Sequence, residues 1–180
     1  MSPNPDPLAI AFANTRSSSG RDRIANVEQF AAWAGSWPVL AEFAPQLAEA
    51  AVDELRAQRD ATQLVLHRFA DGQTPSPEEL DRAAGPGLQA APFSLRLNGT
   101  HVTGDGDALT GASHLVGRAL VDLLLSPALR ELRRCDGSNC LRVFASGRKS
   151  RRWCDSQICG NRARVAAHLH NRSQTGPDGA

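Results

Sequence analysis

The residues best suited to chemistry are the chain's four cysteines, Cys135, Cys140, Cys154 and Cys159. They follow the spacing C-x4-C-x13-C-x4-C and lie among arginines. Thiolates hold Zn²⁺ tetrahedrally, usually from two short knuckles joined by a spacer. The sequence therefore predicts one zinc ion. Four sulfur ligands leave no open coordination position for water, so the predicted role of this metal is structural.

Disulfide bonds and redox chemistry are the two alternatives to a metal site. Disulfides need an oxidising compartment, and residues 1–7 show neither the cationic start nor the apolar run of a signal peptide. A thiol redox site is expected to have C-x-x-C spacing, which neither knuckle has. Both alternatives are therefore less favoured than zinc.

Local residue types predict how the chain would hold the four sulfurs. The first knuckle contains Gly137 and Asn139, which tolerate a tight turn. Alternating apolar residues and a Ser-Gly pair predict a short hairpin inside the spacer. Asp155 and Ser156 are placed to cap a helix that covers residues from about Ser156 to Arg172. Together these elements predict a treble-clef-like zinc finger.

Charge is distributed unevenly along a chain whose net charge is only +1. Residues 130–172 hold eleven basic and three acidic residues, a net of +8, whereas residues 1–129 hold nine basic and fifteen acidic ones, a net of −6. A cationic module suits phosphate binding, because neutralising phosphates releases counterions. The predicted nucleic-acid-binding residues are Arg148, Lys149, Arg151, Arg152, Arg162, Arg164, His168 and Arg172.

The predicted last helix has a basic stripe and an apolar stripe. Arg164, His168 and Arg172 recur at i, i+4 and i+8, so they share one side of the helix. We expect this side to contact DNA and the neighbouring apolar stripe to pack against the protein. The apolar stripe consists of Ile158, Val165 and Leu169.

Two other roles for the basic module remain open. The finger could act as a structural or protein-interaction module that docks on the acidic part of its own chain or of a partner. RNA binding is a weaker alternative, because the chain has few aromatic side chains that could stack on single-stranded bases. It contains no Tyr, three Trp and six Phe.

The residues around the second knuckle resemble a known family. Residues 151–154, RRWC, and residues 159–162, CGNR, combine with the cysteine spacing to resemble the CGNR zinc finger of bacterial transcription regulators. The resemblance implies that the four cysteines bind zinc, and it suggests DNA binding. It also implies that Gly160, Asn161 and Arg162 shape the knuckle or contact DNA.

The start of the chain is similar to the ABATE domain, a proposed stress-related regulatory domain. The similarity rests on residues 8–15, LAIAFANT, and on Trp33 after them. Ala11 stands where the family has an acid, which implies that any ligand contact of that acid is lost or altered here. Asn14 and Thr15 are candidate ligand-binding residues, although capping of the local backbone is the favoured interpretation.

Patterns within residues 8–128 independently predict a mainly helical region. Capping signals, apolar periodicity and Gly or Pro breakers define the helices. The helix predicted to begin at residue 76 is expected to end at the Gly-Pro-Gly triplet 85–87. Alternation around Asn98-Gly99 predicts a hairpin. The predicted helices cover residues 26–35, 45–70, 76–84 and 109–125.

These observations predict an α+β protein, with a mostly helical N-terminal domain that contains a small β-hairpin, followed by the finger. The predicted domains are residues 8–128, for ligand sensing or dimerisation, and residues 130–172, with flexible tails at 1–7 and 173–180. His67, His101 and His114 are scattered and accompany no phosphate loop or nucleophile elbow, so no enzyme is expected.

The predicted function is that of a zinc-dependent, DNA-binding transcription regulator. No apolar run reaches the roughly 18 residues that can span a bilayer, so we expect a soluble, cytoplasmic protein. A small-molecule effector is a further expectation, because residues 8–128 are predicted to sense a ligand. A homodimer or a second protein is also expected, because a finger of this size makes few base contacts by itself.

Overall fold

The computed structural model describes residues 6–17, 20–89, 94–98 and 101–174. Most of the predicted tails, and Phe93 and Gly99 of the predicted hairpin, lie outside these residues. The described chain is mainly helical, with two small antiparallel sheets. The helices are α1 (Leu8–Ala13), α2 (Val27–Ala34), α3 (Pro38–Phe43), α4 (Glu49–Ala70), α5 (Pro77–Leu88), α6 (Ala108–Leu124) and α7 (Cys159–Gln174). The strands are β1 (Ser94–Asn98), β2 (His101–Asp105), β3 (Leu132–Arg134) and β4 (Val143–Ala145).

Side-chain caps begin several of these helices, as the sequence predicts. The Asn26 side chain accepts a hydrogen bond from the backbone N–H of Gln29 at the start of α2. Ser76 and Glu79 form a reciprocal capping box at the start of α5. Each cap satisfies backbone donors that the first turn of a helix leaves unpaired. The α+β class and the β1–β2 hairpin are confirmed.

The start of α4 differs from the prediction. Pro45 lies in a short 3₁₀ helix, Ala44–Gln46, and not in the first turn of α4. The chain is extended at Leu47, whose side chain is buried in the core, and α4 begins only at Glu49. Burial of Leu47 therefore separates two helical segments that periodicity alone would join.

The end of α5 is a second correction. The Gly-Pro-Gly triplet 85–87 does not end the helix, which continues to Leu88 with Pro86 inside it. The reason is the close packing of α5 on α6, where a Cβ at Gly87 would overlap the backbone of Gly117 and Arg118. The ring Nδ1 of His114 also lies 3.0 Å from the Pro86 carbonyl oxygen. Tertiary contact thus overrides the local breaker signal.

Two apolar clusters form the core, one along the N-terminal half of α4 and the other along its C-terminal half. The first joins α1, α2, α3 and α6 around Phe12, Phe30 and Phe43. The second is built on Val65 and Leu66 of α4 and on Leu120 and Leu123 of α6, and it also contains one residue from each strand of the β3–β4 sheet. These two strand residues are Leu132 and Val143. The C-terminal sheet therefore shares a core with the N-terminal helices.

Candidate zinc centre and basic surface

The four cysteines come together at one point beside the β3–β4 sheet. Their sulfur atoms all lie within 4.8 Å of one another, and none is in a disulfide. Cys154 Sγ lies 3.9 Å from Cys140 Sγ and 3.6 Å from Cys159 Sγ, and the Cys140 and Cys159 sulfurs are 3.7 Å apart. A tetrahedron with Zn–S bonds of about 2.3 Å has edges of about 3.8 Å. The sulfur set therefore fits one tetrahedral zinc ion.

The first knuckle is the turn of the β3–β4 hairpin. Cys135 follows β3 and Cys140 lies just before β4, with Leu132 opposite Ala145 and Arg134 opposite Val143. Asn139 adopts a left-handed conformation with φ of 58°, which asparagine tolerates better than most residues. The prediction of a hairpin inside the spacer is thus wrong, because β4 pairs with a strand that precedes the first cysteine.

The second knuckle leads directly into α7. Asp155 Oδ1 accepts hydrogen bonds from the N–H groups of Gln157 at 2.8 Å and Ile158 at 2.9 Å. The carbonyl of Asp155 accepts from the N–H groups of Cys159 and Gly160. Asp155 therefore caps this turn as predicted, but α7 begins at Cys159, three residues after the expected start.

Hydrogen bonds distinguish the sulfur atoms. Cys135 Sγ accepts from the N–H groups of Gly137 at 3.4 Å and Cys154 at 3.3 Å. Burial opposes ionisation of this thiol, but the hydrogen bonds lower its pKa below the usual value. Burial raises the pKa of Cys154, and raises that of Cys159 to about 11. Zinc must therefore displace protons from these thiols, and acid weakens its binding.

The finger is anchored to the N-terminal helices by polar contacts. Asn14 Nδ2 donates to the Val143 carbonyl at 2.8 Å, and the Val143 N–H donates back to Asn14 Oδ1 at 3.0 Å. Arg134 Nη1 lies 2.9 Å from Asp71 Oδ2. Together with the shared core, these contacts join β3 and β4 to α1 and α4.

Thr15 has a different environment from Asn14. Its hydroxyl donates to the Phe12 carbonyl at 2.7 Å and accepts from Arg59 Nη1 at 3.2 Å. The structure thus places both predicted ligand-binding residues in internal hydrogen bonds. Thr15 makes one local and one long-range bond, and Asn14 makes a long-range pair with Val143. Ala11 is buried in α1.

His67 connects the finger to α4 in a way that predicts pH dependence. Its Nε2 lies 2.8 Å from the Leu141 carbonyl oxygen. Burial lowers the pKa of His67 below its usual value of 6.5, although this hydrogen bond opposes the shift. The folded protein therefore binds fewer protons here than the unfolded one. The stabilisation is full above pH 6.5 and is lost as the pH falls through the lower folded pKa.

We expect acidification below the folded pKa of His67 to expose the β4 amides to hydrogen exchange. Their exchange rates should then exceed those expected from the intrinsic effect of pH on amide exchange. His67→Gln should remove most of that extra acceleration, because the amide does not titrate. His168→Gln, at an exposed position of α7, is the matched control and should behave like the wild type. An equal effect of both variants would contradict the role of His67.

The predicted DNA-contacting residues fall into two groups. Arg151 donates to the carbonyls of Trp153 and Cys154 and lies over the Phe144 ring, 4.5 Å from its centroid. Two further arginines also have internal partners, since Arg152 pairs with Asp136 at 2.8 Å and Arg164 Nη2 donates to the Ser156 carbonyl. These three arginines help to hold the knuckles in place.

The second group is exposed. Within the described part of the chain, the side chains of four of these residues make no hydrogen bond or ion pair: Arg148, Lys149, Arg162 and His168. Arg172 lies within α7, but its side chain is outside the described part of the structure. The unpaired basic side chains are therefore located in the spacer and along α7.

The apolar stripe of α7 is exposed, contrary to the prediction that it packs. Ile158, Val165 and Leu169 retain 51%, 50% and 59% of their accessible surface. Cys159 and Gly160 form the buried side of the helix instead. The zinc centre holds only the start of α7, so the rest of the helix has no apolar partner among the described residues.

Sequence reasoning missed two arginines near the zinc centre. Arg21 and Arg142 line a cavity that Arg162 also lines. Arg142 belongs to the basic segment and could have been included on charge alone. Arg21 lies in the acidic part of the chain, where no local pattern singles it out.

Within the described ranges, the cysteine cluster is the one group of three or more His, Cys, Asp or Glu residues that could share a metal ion. No helix among those residues is long and apolar enough to cross a membrane.

Family comparisons cover most of the chain. Residues 6–127 match ABATE, described as "Putative stress-induced transcription regulator", and residues 131–172 match the CGNR zinc finger. No curated protein matches the chain. Neither family description is that of an enzyme. The chain therefore belongs to the ABATE family and ends in a CGNR zinc finger whose four cysteines fit one structural zinc ion.

Proposed function

We propose that the protein is a cytoplasmic transcription regulator that binds DNA through its finger, with zinc as a structural ion. The observation that carries this proposal is the set of unpaired, exposed basic side chains in the spacer and on α7. An α-helix fits the major groove of B-DNA, and cations along it can neutralise phosphates. The ABATE family description supports a regulatory role.

The composition of α7 suits a helix in the major groove. It contains three arginines and no acidic residue. On a helical projection, Asn161 and Arg162 flank the exposed Val165. Arginine can bind guanine and asparagine can bind adenine in bidentate fashion, and an apolar side chain can contact the thymine methyl group. In this proposal, the exposed apolar stripe of α7 faces the thymine methyl groups of the major groove.

The proposal predicts DNA binding that depends on both zinc and salt. Affinity should fall steeply between about 50 and 200 mM salt and vanish on chelation. Arg162→Gln should weaken binding by about tenfold and, if it contacts phosphate, reduce the salt slope by about one. Fluorescence anisotropy with random and genomic duplexes measures both quantities.

Arg118→Gln is the matched control for this experiment. Arg118 is exposed on α6 and pairs with Asp122, so its substitution should leave DNA binding unchanged. Wild-type protein that holds zinc and is folded but does not bind any duplex would refute the proposed function.

We place the sensing role in the N-terminal helices. A cavity of about 470 Å³ lies between α4, α5 and α6, and its polar lining includes Gln58, Arg82 and Thr110. This volume suits a small ligand. A screen for ligands that raise the melting temperature would test the sensing role, and light scattering would test the proposed homodimer.

The second candidate function is that of a protein-interaction module. The contacts of Asn14 with Val143 and of Asp71 with Arg134 favour it, because the finger already docks on its own N-terminal region. The two functions predict different results, since the interaction module retains zinc and this docking without measurable affinity for DNA.

A further inference from the structure

Three arginines from separate parts of the chain line one cavity beside the zinc centre. Arg21 lies between α1 and α2, Arg142 lies between the first knuckle and β4, and Arg162 lies in α7. The cavity has a volume of about 270 Å³, and Ser17 and Asp155 also line it. Its remaining walls are formed by Cys140, Cys154, Ile158 and Cys159.

The volume is too large for the metal ion alone. A water molecule takes up about 30 Å³ in the liquid, and the cavity is several times larger. Cys140, Cys154 and Cys159 line the part of the cavity next to the zinc site, and the three arginines belong to the rest of the lining. A small ligand therefore has room beside the centre.

The three guanidinium groups have unused hydrogen-bonding capacity. Within the described chain, Arg21, Arg142 and Arg162 form no side-chain hydrogen bond or ion pair. The carboxylate in the lining, Asp155, already accepts two backbone N–H groups through Oδ1. Asp6 attracts Arg142 electrostatically without forming an ion pair with it. Leaving the cysteines aside, the cavity is lined by three arginines and one carboxylate, so its lining carries a net positive charge.

The thiolates of the loaded zinc centre are the competing partner for these cations. Among the described residues, the sulfur atoms accept hydrogen bonds from the backbone N–H groups of Gly137 and Cys154, and none from an arginine. A guanidinium presents five N–H donors in a planar fork that matches the oxygens of a phosphate. Phosphate oxygens are therefore the better-matched acceptors.

We propose that Arg21, Arg142 and Arg162 form a binding site for a phosphate group where the N-terminal region meets the finger. The phosphate belongs either to the backbone of a duplex or to a free phosphate-bearing small molecule. A phosphate group bound in this site links the α1–α2 loop to α7, because each of them contributes an arginine. The site does not depend on the proposed DNA binding, since a free phosphate compound is sufficient to fill it.

The test uses the zinc-loaded full-length chain and the variants Arg21→Gln and Arg142→Gln. Arg23→Gln is the matched control, because Arg23 is exposed on the same loop but does not line this cavity. Calorimetric titration with pyrophosphate measures free anion binding. Anisotropy with duplex DNA over about 50–200 mM salt measures backbone contacts, and chelator competition measures zinc affinity.

For a free phosphate ligand, both test variants should weaken pyrophosphate binding by about tenfold, while Arg23→Gln does not. For a DNA phosphate, they should instead reduce the salt slope by about one each. If wild-type protein binds pyrophosphate but no duplex, this site stands although the proposed function fails.

Two results would overturn the site. One is that the test variants match Arg23→Gln in both binding assays. The other is that they lower zinc affinity while leaving pyrophosphate and DNA binding unchanged, because the arginines would then only neutralise the metal centre.

Discussion

Cys135→Ser is expected to abolish zinc binding and unfold the finger, which is the largest effect predicted for a single residue. Structural zinc contributes about 10–16 kcal/mol of apparent binding energy in zinc-finger peptides, and this is in effect folding energy. Metal analysis should show less than one zinc per chain, and hydrogen exchange should show loss of protection in β3, β4 and α7.

The effect should extend beyond the finger. Leu132 and Val143 belong to the same apolar cluster as Val65 and Leu66 of α4, so loss of the hairpin exposes part of the N-terminal core. We therefore expect the remaining domain to melt at a lower temperature. Chelation of the wild-type protein should reproduce both changes.

Ser138→Ala is the control, because Ser138 is exposed within the same knuckle and supplies no metal ligand. It should retain zinc and wild-type stability. Metal-free Cys135→Ser protein that kept the wild-type protection of β4 and α7 would show that the finger folds without zinc, contrary to this prediction.

Arg59→Leu is expected to lower the free energy of unfolding by about 3–5 kcal/mol, the usual cost of breaking a buried ion pair. Arg59 is only 1% exposed, and its Nη1 and Nη2 bind the two carboxylate oxygens of Asp22 at 2.9 and 3.0 Å. Its Nε also contacts Asp60 at 2.7 Å. The substitution leaves the largely buried Asp22 without this bidentate partner. Urea denaturation measures the loss.

The same pair predicts sensitivity to acid. Burial tends to raise the pKa of Asp22, but its hydrogen bonds with Arg59 and Ile24 and the nearby guanidinium charges lower it below the usual 3.8. A carboxyl group with a depressed folded pKa stabilises the protein above pH 3.8, and this contribution is lost as the pH falls through the folded value. Arg59→Leu should reduce this acid-dependent loss.

Arg118→Leu is the matched control for Arg59→Leu. Arg118 pairs with Asp122 across one turn of α6, and its side chain is 60% exposed. The control should change the free energy of unfolding by less than about 1 kcal/mol, because exposed ion pairs contribute little. If the two variants were equally stable, burial of the Arg59–Asp22 pair would not matter for folding.

The sequence patterns whose predictions were confirmed depend on interactions between residues that lie close together in the chain or on one metal ion. Cysteine spacing predicts the metal cluster because four thiolates on one ion leave few alternatives. The cap at Asn26 and the capping box at Ser76 are also local, since donor and acceptor lie within one helical turn. Such features can be predicted from a few consecutive residues.

The failures involve contacts between distant segments. The triplet 85–87 remains helical because Gly87 lets α5 approach α6 closely. The strand β4 pairs with β3 because the first knuckle is itself the turn, so the partner strand precedes Cys135. Periodicity identified the apolar stripe of α7 correctly, but it could not show that no element in the described part of the chain covers Val165 and Leu169.

By itself, the sequence determined the fold class, the zinc ligands and the concentration of positive charge in residues 130–172, because composition and local spacing encode these properties. Tertiary structure alone decided which arginines support the knuckles and which remain unpaired. It also decided that Asn14 joins the finger to the N-terminal helices, and that Arg21 lies at the same cavity as Arg162. Segments far apart in the chain meet only when the core closes, so no local pattern predicts these pairs.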